Sequence, residues 1–295
     1  MARLGSMKSP GPCRFLAFAL SLLPPVAFAQ GNQPEPLIKD TPVAGSVHLL
    51  ECSGGNIGVS VGPDGILLVD DQFANMATKI ETALSALSTN RIAFLLNTHW
   101  HGDHTGGNAH FGTKAVIVAH TNVRKRLLDA QGTAASALPV VTHEHGISVH
   151  FNGEEVRVVA LGPGHTDGDA AVFFTKSNVL HLGDQFFKDR FPFIDLGSGG
   201  DVRGYVKNVA DVLTWAPANA QVIPGHGGLG NVDDLRRFHT MLVETTSLVA
   251  DGIKAGKSLA DIRTAGLPEK YKSWGSGFIN EARWLEICFN SLSKK

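Results

Sequence analysis

Residues 97–108 read NTHWHGDHTGGN, with three histidines and an aspartate inside six positions, and they follow directly on the apolar run 92–96. A short apolar run bounded by polar and glycine-rich sequence reads as a buried strand, so the cluster lies where a strand opens into a loop. In extended backbone, residues two apart point the same way, and His99 and His101 can therefore converge on one cation. Asp103 and His104, beyond the bend at Gly102, face a neighbouring point. That spacing suits two metal ions side by side, and nitrogen with carboxylate donors suits zinc or another borderline divalent ion.

Three further polar residues stand at the ends of predicted strands, each beside glycine: His165 in GPGHTDG (162–168), Asp184 in HLGD (181–184) and His226 in IPGHG (223–227). Glycine there lets the backbone turn sharply and approach a ligand closely. Added to the first cluster, these three supply the remaining ligands of a two-metal site. The other histidines lack a strand-end position or a matching spacing. His143 and His145 precede a strand in a polar stretch and are read as solvated.

Outward from the cluster, strands are predicted over 47–52, 56–61 and 66–69, with the turn GPDG at 62–65 between the last two. Met76, Ile80, Leu84 and Leu87 recur at helical spacing and mark a core-facing stripe. After the strand over 92–96 come a strand over 115–119, a helix over 121–128 and a hairpin of 147–151 and 156–161 around Asn152-Gly153, which puts Ser148 and His150 on its polar face. Strands over 171–174 and 179–182, a glycine-rich loop over 197–200, a helix over 202–213 and a strand over 221–223 follow. The tail is helical: Leu235, Phe238, Leu242 and Leu248 share a face, Ser258 and Asp261 form a capping box, and a last helix covers 279–292. Two groups of strands, each followed by helices, predict an α/β protein with two sheets packed face to face and helices outside.

The chain has 295 residues, a formal charge of −1 and 43% hydrophobic residues, which suits a globular protein with a large core and gives no bias toward nucleic acid. Arg3, Lys8 and Arg14 precede an apolar run over 15–23, and AFA follows at 27–29. This is the layout of a secretory signal peptide cleaved after Ala29, with an apolar run too short to remain as a membrane anchor. Residues 1–29 are thus read as signal, 30–45 as a polar lead and 46–295 as one domain of a secreted or periplasmic protein. Cys13 would leave with the signal. Cys52 and Cys288 make no disulfide framework, and free, buried thiols fit them as well as a pair does.

The ordered set of motifs resembles the metallo-β-lactamase superfamily. Its parts are Asp70 closing the strand over 67–69, His99-x-His101-x-Asp103-His104, Gly164-His165-Thr166, Gly183-Asp184 and Pro224-Gly225-His226-Gly227. The resemblance implies a four-layer αββα sandwich of two mixed sheets with the site at the sheet edges. It implies that His99, His101 and His165 hold one zinc ion, that Asp103, His104 and His226 hold a second, and that Asp184 bridges the two. Asp70 would hold the histidine loop rather than a metal, a role that Asp71 next door could also fill.

These assignments imply a binuclear zinc hydrolase in which a hydroxide between the metals attacks a carbonyl or phosphoryl group, with Asp103 orienting it and relaying its proton. Redox chemistry fits less well, because di-iron relatives usually carry an acidic residue where this chain has His101. Export, a single domain and GPGHT at 162–166 point to the amide of a β-lactam, a small-molecule substrate, and so to antibiotic resistance. Lys188, four residues after Asp184, is the candidate partner for a substrate carboxylate, as a lysine near the equivalent ligand is in some true lactamases. Asp184 departs from that pattern, since zinc β-lactamases generally have cysteine or serine there. A bridging aspartate resembles glyoxalase II, which cuts thioesters, although no basic cluster for glutathione stands in the C-terminal stretch. A polynucleotide substrate does not fit the near-neutral charge. A non-catalytic metal-binding accessory protein would be expected to have lost a ligand or Asp103, and every position is filled. Substrate choice is expected to lie in the loops around 71–76, 129–146 and 185–201.

Overall fold

The computed structural model describes Met1 and residues 38–294, so the expected signal peptide and most of the expected lead lie outside the described residues. The first sheet has seven strands in chain order: β1 (Lys39–Ala44), β2 (Val47–Glu51), β3 (Ile57–Gly62), β4 (Gly65–Val69), β5 (Ile92–Leu96), β6 (Val116–His120) and β7 (Val141–His143). β1 to β4 pair antiparallel and β4 to β7 parallel. The second sheet has β8 (Gly146–Phe151), β9 (Glu154–Ala160), β10 (Ala170–Phe174), β11 (Val179–His181), β12 (Gln221–Ile223) and β13 (Gly230–Asn231), again in chain order across the sheet. Its one parallel pair is β11 with β12. The helices are α1 (Ala77–Leu87), α2 (Gly102–Thr105), α3 (Asn108–Phe111), α4 (Thr121–Asp129), α5 (Val202–Trp215), α6 (Val232–Lys254), α7 (Leu259–Ala265) and α8 (Glu281–Leu292).

The two-residue repeat of β-structure divides each central strand between two cores. In β4, Leu67 and Val69 face the second sheet, while Ile66 and Leu68 face the other way, onto Ile80 and Leu84 of α1. In β10, Val172 and Phe174 face the first sheet, whereas Ala171 and Phe173 join the core built with α5, α6 and α8. Burial on both faces explains why these strands read as unbroken apolar runs. The order of layers is helix, sheet, sheet, helix, the predicted αββα sandwich.

Three strands go beyond the predicted set, one of them the two-residue β13 on β12. Lys39–Ala44, inside the stretch read as a polar lead, forms an edge strand on β2. Val141–His143 closes the other edge on β6. His143 is correspondingly buried rather than solvated, with its ring edge-on to His120, and burial pushes its pKa down to about 4. His145 is exposed as expected. Cys52 and Cys288 are free thiols, the first half-buried and the second buried. Among the described residues, no helix is long and apolar enough to cross a membrane.

Candidate metal centre

Parallel neighbours end at the same edge of a sheet, and this brings the motifs together. β4 and β5 deliver Asp70 and the loop beginning at Asn97 to one edge of the first sheet. β11 and β12 deliver Asp184 and His226 to one edge of the second. His165 arrives from the β9–β10 loop.

The side chains form two groups. Ligand atoms of His99, His101, His165 and Asp184 lie within 4.8 Å of one another, as do those of Asp103, His104 and His226. Asp184 faces both groups with different oxygens. Its Oδ2 is 3.3 Å from His165 Nε2 and 3.9 Å from His99 Nε2, while Oδ1 is 3.1 Å from His104 Nε2 and 3.4 Å from His226 Nε2. Asp103 Oδ2 stands 3.3 Å from His226 Nε2. The structure therefore gathers all seven residues at one place.

Hydrogen bonds on the far side of the rings fix which nitrogen faces inward. His99 Nδ1 bonds to Thr98 Oγ1 at 3.0 Å, His165 Nδ1 donates to the Phe193 carbonyl at 2.7 Å, and His104 Nδ1 donates to Asp70 Oδ2 at 2.8 Å. His101 is turned the other way: its Nε2 donates to Asp195 Oδ2 at 3.0 Å, leaving Nδ1 2.8 Å from His165 Nε2. Asp70 also accepts from Thr98 N and Thr98 Oγ1, both at 2.7 Å, so both its oxygens are used in holding the loop. Asp71 is directed elsewhere, onto Gly107 N. The buried Tyr205 hydroxyl donates to the Asp184 carbonyl at 2.7 Å.

The donor set fits divalent cations. His99 Nε2, His104 Nε2 and Asp184 Oδ1 are buried without a hydrogen-bond partner, an arrangement that costs free energy unless something positive sits among them. Burial pushes His99 well below the usual imidazole range and His165 down to about 4, which keeps them as neutral rings with a lone pair to give. Burial would also lower His104 and His226, but the Asp184 carboxylate outweighs it, helped by Asp70 at His104 and by Asp103 at His226. His104 is held well above its ordinary value and His226 rises to about 9. Both nitrogens are thus set to bind positive charge at the point where a cation would sit. Three ring nitrogens in one group and two in the other, with carboxylate oxygens in both, suit a borderline divalent ion.

A cavity of about 590 Å³ opens over the two groups, lined by Asp103, Asp184 and His226 and walled by Phe73, Phe193 and Phe278. Loops 71–76 and 185–201 contribute to it as expected; loop 129–146 does not. Lys188 requires a correction. Its Nζ donates to the Leu229 carbonyl at 2.6 Å and pairs with Asp234 at 3.2 Å, tying the loop to the start of α6, and it does not line the cavity. The cation at the mouth is Arg190, two residues on. Asp195 was not anticipated either. Its only trace in the sequence is a position beside the glycine-rich 197–200 loop, which gives no hint that it meets His101.

The chain has relatives among known proteins in both sequence and fold. Residues 53–237 match the model of the metallo-beta-lactamase superfamily. The chain is 25% identical over 215 residues to a metallo-beta-lactamase type 2 of Bacteroides fragilis, covering 68% of this chain and 83% of that protein. It is 30% identical over 145 residues to a hydroxyacylglutathione hydrolase of Nitrosococcus oceani, covering 48% of this chain and 51% of that protein. Among solved structures, a metallo-beta-lactamase from Pontibacter korlensis superposes with a TM-score of 0.59 at 18% identity, over 70% of this chain and 99% of that one.

Proposed function

The chain belongs to the metallo-beta-lactamase superfamily and is a metal-dependent hydrolase, and from that premise we propose an exported enzyme that holds two zinc ions and opens the amide of a β-lactam ring. The observation that carries the two-metal reading is Asp184, one carboxylate whose two oxygens face two separate sets of ring nitrogens. When bound, two such ions supply Lewis acidity toward a carbonyl and toward water. The chain's own residues do the rest. Asp103, the only ligand-group carboxylate besides Asp184 on the cavity wall, is placed to hold a water in the cavity, take its proton on the carboxylate and return it to the leaving nitrogen. Asp195, Asp70, Thr98 and the Phe193 carbonyl keep the rings in the required tautomers. Phe193, partly buried beside His101 and His165, lowers the polarity around these interactions.

The alignment over 83% of a metallo-beta-lactamase, against 51% of a hydroxyacylglutathione hydrolase, supports the amide as substrate bond. The aspartate at 184 favours a second reading, hydrolysis of a thioester. The test is hydrolysis by the zinc-loaded protein on a chromogenic cephalosporin, a thioester and a phosphodiester side by side, with a chelated control. Chelator-sensitive turnover dominated by the cephalosporin is the expected result. Preference for the thioester moves the function to the second reading, and silence on all three overturns both in favour of an accessory metal-binding role.

A further inference from the structure

We propose that Asp169 and Gln185 form a buried latch that sets the spacing between His165 and Asp184, and with it the geometry of the first metal group. Both are positioning residues, and the assignment rests on the two-metal reading above.

Asp169 is the last residue before β10, and both it and Gln185 are buried. The Asp169 carboxylate accepts from Thr166 N at 2.9 Å, from Thr166 Oγ1 at 2.5 Å and from Gln185 Nε2 at 2.6 Å. Thr166 follows His165 in the chain, and Gln185 follows Asp184. One carboxylate therefore grips the neighbour of a ligand on each of two loops, and the ligands themselves meet at 3.3 Å, His165 Nε2 to Asp184 Oδ2. Of the second group's own ligands, Asp103, His104 and His226, none adjoins a latch residue in the chain. The three donors are two amides and a hydroxyl, all neutral. A carboxylate buried among neutral donors costs free energy that a well-packed apolar pair would not, so stability alone does not account for it.

Gln185 is satisfied on one side only. Its Oε1 is buried with no hydrogen-bond partner, so the bond from Nε2 to Asp169 is what places the amide. The His165 loop lies against it: at Gly164 an added Cβ would stand 2.6 Å from Gln185 Nε2 and 2.6 Å from Asn208 Nδ2. Helix α5 holds the same two loops by their backbones, the Tyr205 hydroxyl donating to the Asp184 carbonyl and Asn208 Nδ2 to the Gly162 carbonyl, each at 2.7 Å. Residues three apart share a helix face, so one side of α5 fixes both backbones and the latch joins them across the gap. Ala170, next to Asp169, donates its N–H to the Thr98 carbonyl at 2.8 Å, which ties the same point to the loop of His99. Neither Asp169 nor Gln185 lines the cavity, so contact with substrate plays no part.

The test is zinc affinity of the full chain, read by competition with a chromophoric chelator, with the visible spectrum of the cobalt(II)-loaded protein as a second readout. Gln185→Met is close in volume and changes no charge. In a His226→Ala background, where only the first group is complete, it is expected to weaken zinc about tenfold and to shift the cobalt bands. In a His101→Ala background the second group is complete and Tyr205 still holds the Asp184 backbone, so the change should stay within about threefold. The melting temperature of the metal-free protein should match the parent's, because the orphaned Oε1 leaves together with the lost bond. Thr166→Val, nearly isosteric, cuts the other arm of the latch and is expected to repeat the loss in the first background. Equal weakening in both backgrounds, or a lowered metal-free melting temperature with an unchanged cobalt spectrum, would give the pair a role in folding stability alone and overturn the proposal, as would no weakening at all. If the parent binds a single ion, the two-metal reading falls by itself, and the latch is then upheld or overturned by whether Gln185→Met weakens that ion.

Discussion

Asp70 sits in the left-handed region at φ 64, a conformation that aspartate and asparagine tolerate better than most residues. The strain is tolerable because three hydrogen bonds, from Thr98 N, Thr98 Oγ1 and His104 Nδ1, lock the side chain in place. Asp70→Asn keeps the backbone and the size but removes the charge and one acceptor. It should cut metal affinity about tenfold to a hundredfold, measured by competition with a chromophoric chelator; unchanged affinity would show that Asp70 only shapes the turn. Asp103→Asn should lower turnover on the order of a hundredfold or more with most of the metal retained, since His104 and His226 remain. Near-normal turnover would remove Asp103 from its catalytic role. At this scale the sequence marks the metal-group residues well, because glycine beside a histidine or aspartate at a strand end is a local signal. It does not mark Asp195, whose partner His101 is 94 residues away. Nor can counting residues from Asp184 separate Lys188 from Arg190. The chain there makes a single 3-10 turn and then a bridge between Phe187 and His226, and only that path decides which cation faces inward.

The elements bring the site to order through their ends, and those ends are tightly packed. At Gly225 an added Cβ would fall 2.1 Å from Asp184 Oδ1 and 2.6 Å from the Gly183 carbonyl carbon, so only hydrogen fits where the loop after β12 crosses the loop after β11. Gly225→Ala should therefore displace Asp184, costing ~2 kcal/mol or more by overpacking and reducing metal uptake in both groups. Gly102 is the control. It opens α2 between the ligands, an added Cβ there meets nothing within 4 Å, and Gly102→Ala should unfold at the parent's denaturant midpoint. If Gly225→Ala also matched the parent in midpoint and metal content, the packing argument at the strand ends would fall. Most elements are legible from apolar periodicity, and β5 and β12 match their predicted ranges, 92–96 and 221–223. The strands that are not are edge strands, β1, β7 and the two-residue β13. β1 contains Pro42 and charged residues, and β7 is three residues long, so neither carries the alternation that a half-buried strand shows.

Across the whole molecule, the two sheets each carry part of the metal centre. His99, His101, Asp103 and His104 belong to the edge of the first sheet, and His165, Asp184 and His226 to that of the second. Away from the ligands, the buried Asn56 at the start of β3 reaches across to the same edge, donating to the carbonyls of Pro224 and Gly227 at 2.9 and 2.7 Å. Ions held by residues from both sheets act as a clamp between them, and an ion that binds only the folded chain adds its binding free energy to stability. With free zinc a thousandfold above its dissociation constant this amounts to about 4 kcal/mol per site. In a chain of this size each kilocalorie moves the melting temperature by roughly 2–4 °C. Chelation should accordingly lower the melting temperature by roughly 10 °C or more in differential scanning fluorimetry, and zinc should restore it. Asp184→Asn, which weakens the residue shared by both groups, should shrink that zinc-dependent shift more than Asp103→Asn, which touches one. Equal shifts in the two variants would mean that Asp184 serves a single ion, and an unchanged melting temperature on chelation would mean that the sheets are held together by their shared apolar core and by hydrogen bonds such as those of Asn56.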